Sequence, residues 1–108
     1  MKNLIIYAHP KQEGHCATVL SEVKNKLDSK KEDYLVLDLY GMNYNPVLTT
    51  EEFTPEGHTK ANDENKLIQD KITSSENIIF IFPAWWGGMP AILKGFFDRV
   101  FTEGFALS

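Results

Sequence analysis

Two short stretches hold the residue types best suited to binding and chemistry. The first, His9 to Cys16 (HPKQEGHC), sets two histidines, a lysine and a glycine between an apolar run and an amphipathic one. Where such a stretch opens a helix, unpaired backbone N–H groups and the helix dipole attract an anion, such as a cofactor phosphate. It has a single glycine, Gly14, and so matches neither the dinucleotide-binding fingerprint nor the nucleotide phosphate loop. An ordinary strand-to-helix turn is the plainer account of the same residues. The second stretch, Pro83 to Met89 (PAWWGGM), places Trp85 and Trp86 beside Gly87 and Gly88. Broad aromatic surface next to residues that let a backbone come close suits a flat ligand. Partial core is the competing use of such tryptophans.

The other reactive side chains form no constellation. His9, His15, His58 and the lone Cys16 lack metal-ligand spacing, so no metal is expected. His9 and His15 are placed for phosphate contact or simple solvation, and His58 has no evident partner. Cys16 has no second cysteine to pair with and falls on the apolar side of the following helix, as a small core residue would. Lys94 and Asp98 have the spacing of a surface helix pair, and nothing assigns Asp98-Arg99 to a partner interface. No Ser-His-Asp order and no paired carboxylates stand out. No catalytic side chain is assigned, and any chemistry is expected from a bound cofactor.

The elements that must position these stretches follow from periodicity. Asn3 to Ala8 (NLIIYA) is a near-continuous apolar run, as in a strand buried on both faces, and it ends at His9-Pro10. From His15 to about Asp28, Cys16, Leu20, Val23 and Leu27 mark one face of a helix. Tyr34 to Leu39 is a second strand, parallel to the first by its βαβ order. Tyr40 to His58 is turn-rich and without period, the kind of long loop that is usually functional or mobile. A polar helix from about Ala61 to Ser74 carries Leu67, Ile68 and Ile72 as a thin apolar stripe. Asn77 to Phe82 (NIIFIF) is the third and most hydrophobic strand, expected to be central, with a far-side neighbour that is not in this sequence. Pro90 starts a last helix, Ala91 to Phe101.

Length and charge narrow the function classes. The chain has 108 residues, enough for one domain over 1–108, with 43% hydrophobic and 24% charged residues, a globular balance. A net charge of -4 argues against nucleic-acid or anionic-membrane partners. No apolar segment approaches the roughly 20 residues needed to span a bilayer. A soluble cytoplasmic protein is expected.

Alternating strands and helices form a doubly wound α/β pattern. Ligands in such sheets bind outside the strand carboxyl ends, where strand order reverses. In a flavodoxin-like order that point lies between strands one and three, which the two stretches follow. A phospho-receiver domain of the same topology is excluded. It needs an acidic cluster after strand one and an aspartate ending strand three, where this chain has Tyr7-Ala8-His9 and Phe82-Pro83.

Three blocks carry a resemblance. FPAWWGGMPAILKGFFDRVFTEGFAL (Phe82 to Leu107) is similar to the segment of NAD(P)H dehydrogenase (quinone)-type reductases that runs from the flavin-contacting loop into the next helix. YAHP resembles their first phosphate-loop segment, and DLYGMNYNPVLT (Asp38 to Thr49) the stretch after their second strand. The blocks stand in the right order and cover nearly the whole chain. The resemblance implies FAD or FMN at the sheet's carboxyl edge, NAD(P)H as hydride donor, and a quinone or similar small molecule as acceptor. Carried over by position, His9, Gly14, His15, Cys16, Ala17 and Thr18 would line the phosphate or ribityl side. Pro83, Ala84, Trp85, Trp86 and Gly87 would lie against the ring, with Trp86 and Gly88 at the substrate pocket. It also implies a homodimer.

The resemblance has two departures. Many relatives have Ser-Phe-Asn where this chain has Gly14-His15-Cys16, which removes a hydroxyl and an amide. Relatives also continue with further strands, so the expectation is a flavodoxin-like sheet truncated after the third strand and its helix: a fragment, a truncated product or half of a split protein. The alternative reading is a non-catalytic module that binds a partner through Phe96, Phe97 and the exposed third strand.

Overall fold

The computed structural model describes residues 1–105; the Ala106 and Leu107 positions of the resemblance lie outside the described residues. Three strands, β1 (Asn3–Tyr7), β2 (Tyr34–Asp38) and β3 (Asn77–Ile81), form one parallel sheet in the order β2-β1-β3. Helices α1 (His15–Ser29), α2 (Asp63–Ser74) and α3 (Ala91–Val100) alternate with them, and a 3-10 turn (Thr50–Glu52) lies in the long connection after β2. The doubly wound, flavodoxin-like expectation holds.

β1 is the central strand, and all five of its residues are buried. Its side chains alternate between two apolar layers. Ile5 and Tyr7 pack with Cys16 and Leu27 of α1, while Leu4, Ile6 and Ala8 join Ile68 of α2 and Leu93, Phe96 and Val100 of α3. Among the described strands β3 pairs with β1 alone, and most of its residues are partly exposed. Both of its faces are covered: Ile79 and Ile81 meet the α1 layer, Ile78 and Phe80 the α3 layer.

α3 turns its aromatic residues inward. Phe96 is fully buried, and the Phe97 ring lies 5.2 Å from Phe80 and 5.0 Å from Phe101. The partner surface expected through Phe96 is therefore not available. In α2 the expected stripe is also corrected: Leu67 is 63% exposed, and Asn65 takes the inner face beside Ile68, accepting the Tyr44 hydroxyl at 2.8 Å. Asn62 caps this helix through its side chain, accepting from Asn65 N–H at 2.9 Å.

The long connection is pinned down rather than loose. Thr49 and Glu52 form a reciprocal cap on the 3-10 turn, and Glu52 is buried against Arg99, whose Nε donates to Oε2 at 3.0 Å. Arg99 also donates to the Asn45 carbonyl and lies over the Tyr44 ring. Burial pushes the Glu52 carboxyl up, but hydrogen bonds from Arg99 and Thr49 outweigh it and hold the group below its usual value. Burial drives Tyr44 up to about 12. Lys94 and Asp98 pair at the surface as their spacing implies, and His58 meets Glu103. Among the described residues no helix is long and apolar enough to cross a membrane, and no group of His, Cys, Asp and Glu is placed to hold a metal.

Candidate functional site

Both singled-out stretches leave the sheet at the carboxyl ends of neighbouring strands. The Ala8 N–H donates to the Ile81 carbonyl at 3.0 Å, so the chain departs from β1 and β3 side by side. The two loops then touch: the ring centroids of His9 and Trp85 are 5.9 Å apart. Residues 76 positions apart in sequence thus line one place at the expected switch point.

The first loop is shaped by its own hydrogen bonds. Nδ1 of His9 accepts from the Lys11 N–H at 3.0 Å, which leaves the proton of the neutral ring on Nε2. Gly14 opens α1 with φ +102°, a conformation that favours glycine, and a Cβ there would meet nothing within 4 Å. No side chain caps the helix and its first turn holds no acid. Its leading N–H groups are therefore left without a side-chain acceptor, the condition under which a helix start attracts an anion.

The candidate residues around that opening differ in what they offer. The Thr18 hydroxyl and N–H both donate to the Gly14 carbonyl at 3.0 Å, so its hydroxyl proton is used within the helix. Cys16 is buried in the α1 layer with Ile5 and Tyr7, as a core residue, which leaves its backbone N–H as its contribution. His15 is exposed and Ala17 half-buried.

The second loop is a tight turn. The Gly88 N–H donates to the Trp85 carbonyl at 3.0 Å, and the two residues between, Trp86 and Gly87, have φ of 54° and 73°. Two positive φ values are the mark of a type I′ turn, which normally carries Asn-Gly. A tryptophan there is strained by about 1 kcal/mol, and such strain gathers at ligand clamps. Its effect is to hold the Trp86 indole wholly in solvent, not in the core. Phe82, Trp85 and Met89 are also exposed, with Ala84, Gly87 and Gly88, while Pro83 is half-buried. Exposed aromatic surface beside open helix N–H groups suits a group that is flat at one end and anionic at the other.

Three residues at this edge were not singled out from the sequence. The Tyr7 hydroxyl donates to the Lys11 carbonyl at 3.2 Å, and the Gln12 amide to Asp38 Oδ2 at 3.0 Å. Asp38 Oδ1 also accepts from the Gly41 N–H at 3.0 Å. The Asp38-to-Gly41 spacing is a turn signal visible in the sequence; the reach of Gln12 to β2 is not. A cavity of about 690 Å³ lies elsewhere, lined by Thr54, His58, Lys60, Lys66 and Glu103, and shares no residue with either loop.

Comparison with known proteins identifies the fold family. The family described as flavodoxin-like fold matches residues 1–108. An NAD(P)H oxidoreductase of Haemophilus influenzae is 34% identical over 107 residues, covering 98% of this chain and 53% of that protein. The crystal structure of Smu.1420 from Streptococcus mutans superposes with a TM-score of 0.83 at 42% identity, covering 98% of this chain and 56% of the other. An NAD(P)H:quinone oxidoreductase from Methanothermobacter marburgensis gives 0.86 at 32% identity, covering 96% and 55%. The chain spans about half the length of the relatives it matches.

Proposed function

The chain belongs to the flavodoxin-like fold family, and on that premise we propose that it binds a flavin, FAD or FMN, for two-electron reduction of a quinone or similar acceptor by NAD(P)H. The observation that carries this reading is the meeting of the two loops, with His9 against Trp85, at the ends of β1 and β3. The relatives' names supply the donor and acceptor classes. A bound flavin would supply the hydride chemistry between NAD(P)H and the acceptor.

The chain's own residues bind and orient. The N–H groups of His15, Cys16 and Ala17 hold the phosphate, beside Gly14 and Thr18, with His9 Nε2 available as a further donor. Backbone groups of Pro83 to Gly87 would hold the ring. Trp86 and Gly88 would form a wall of the pocket for the nicotinamide and the quinone, where orientation would lower the barrier by proximity.

The test is NADH and NADPH oxidation by the purified protein, with FAD or FMN and a soluble quinone. Turnover that needs both flavin and quinone supports the reading. Tight flavin binding without turnover on any quinone would replace it with a non-catalytic flavin-binding module.

A further inference from the structure

The first loop has no side-chain cap and one glycine, yet its path is set from below and from the side. Tyr7, the last residue of β1, is almost wholly buried and sends its hydroxyl up to the Lys11 carbonyl at 3.2 Å. Asp38, the last residue of β2, divides its carboxylate between two loops: Oδ2 accepts from Gln12 Nε2 and Oδ1 from the Gly41 N–H, each at 3.0 Å. The carboxylate is closely fitted, since a Cβ on Gly41 would fall 2.6 Å from Asp38 Oδ2. Both strand ends therefore reach into consecutive residues, Lys11 and Gln12, three and two positions before Gly14.

We propose that Tyr7 and Asp38 are positioning residues, which act through Lys11 and Gln12 to hold the first loop in the geometry that presents the α1 N-terminus. That this geometry serves a flavin phosphate rests on the proposed function; that the tethers fix the loop does not. Neither residue is placed to touch a ligand. Without a side-chain cap, the entry angle into α1 depends on backbone turns and these two tethers.

A charge-pattern test separates this role from simple packing. Gln12→Glu sets two carboxylates against each other while barely changing volume. Adding Asp38→Asn restores a donor–acceptor pair, with the new amide donating to the new carboxylate at position 12 and its oxygen still accepting from Gly41. Amide hydrogen exchange across residues 11–20, which include the first hydrogen-bonded turn of α1 from the Thr18 N–H onward, is measured without flavin, and FMN affinity is measured by fluorescence quenching. The Gln12→Glu variant is expected to exchange faster over this segment and bind FMN roughly fivefold more weakly, the effect of one lost hydrogen bond. The double variant, Gln12→Glu with Asp38→Asn, is expected to return to the wild-type exchange pattern, and Tyr7→Phe to loosen the segment without rescue.

Exchange unaltered in Gln12→Glu, or unrestored in the double variant, would overturn the inference. The expected exchange pattern in a wild-type chain that binds no FMN supports the tethers and refutes the flavin reading instead.

Discussion

Pro46 lies directly against Gly95: a Cβ built on the glycine would collide with the Pro46 Cβ and carbonyl oxygen and fall 2.6 Å from its Cα. The long connection after β2 thus crosses α3 at the one position that offers no side chain. One helical turn later, Arg99 takes hold of Asn45 and Glu52. Gly95→Ala would gain about 1 kcal/mol of helix propensity in an exposed helix. Here overpacking costs about 1–3 kcal/mol and outweighs it. Urea unfolding is expected to show a net loss, and a stabilised variant would contradict the contact.

The Glu52–Arg99 pair is buried on both sides, so removing one partner strands the other. Arg99→Met is expected to cost about 3 kcal/mol in urea unfolding. The pair also sets a pH dependence. The Glu52 carboxyl sits below its ordinary value of 4.5 in the folded chain, so its contribution is complete above that pH. It is lost as pH falls through the lower folded value. Glu52→Gln should flatten the acid side of the stability profile, and an unchanged acid slope would count against the pair.

Trp86 occupies a turn position that favours asparagine. Trp86→Asn is expected to relieve the strain and raise stability by about 1 kcal/mol. The same change removes the fully exposed indole and should weaken flavin binding. Opposite signs in thermal melting and flavin titration are the outcome that marks a functional residue. Loss of both would make it structural.

Asn62→Ala removes the side-chain acceptor at the start of α2. A loss of about 1 kcal/mol is expected, read by chemical denaturation, with flavin binding unaltered because the helix start lies outside both loops.

Most of the scaffold was legible because apolar periodicity reports burial directly. NLIIYA, YLVLDL and NIIFIF are strands covered on both faces, and Pro90 marks the start of α3 as expected. The order within the sheet was not legible from hydrophobicity, since covering helices and flanking strands both demand apolar residues. The long connection hid its structure for another reason. Its stability comes from one distant buried ion pair and from a glycine 49 residues away, neither of which leaves a local period. At the site, the two loops could be chosen by their position after strands one and three. The tethers from Tyr7 and Asp38 could not, because they depend on the register of β1 and β2. Leu67 misled for a simpler reason: its spacing suits the inner face, but Asn65 and its bond to Tyr44 hold that place.

The most direct test is an absorbance spectrum of the 108-residue protein after incubation with FAD or FMN and removal of free cofactor. The account predicts retained flavin with a shifted visible band, reduced when either Gly14 or Trp86 is replaced. A folded but colourless protein would contradict the claim that these two loops together form the flavin site.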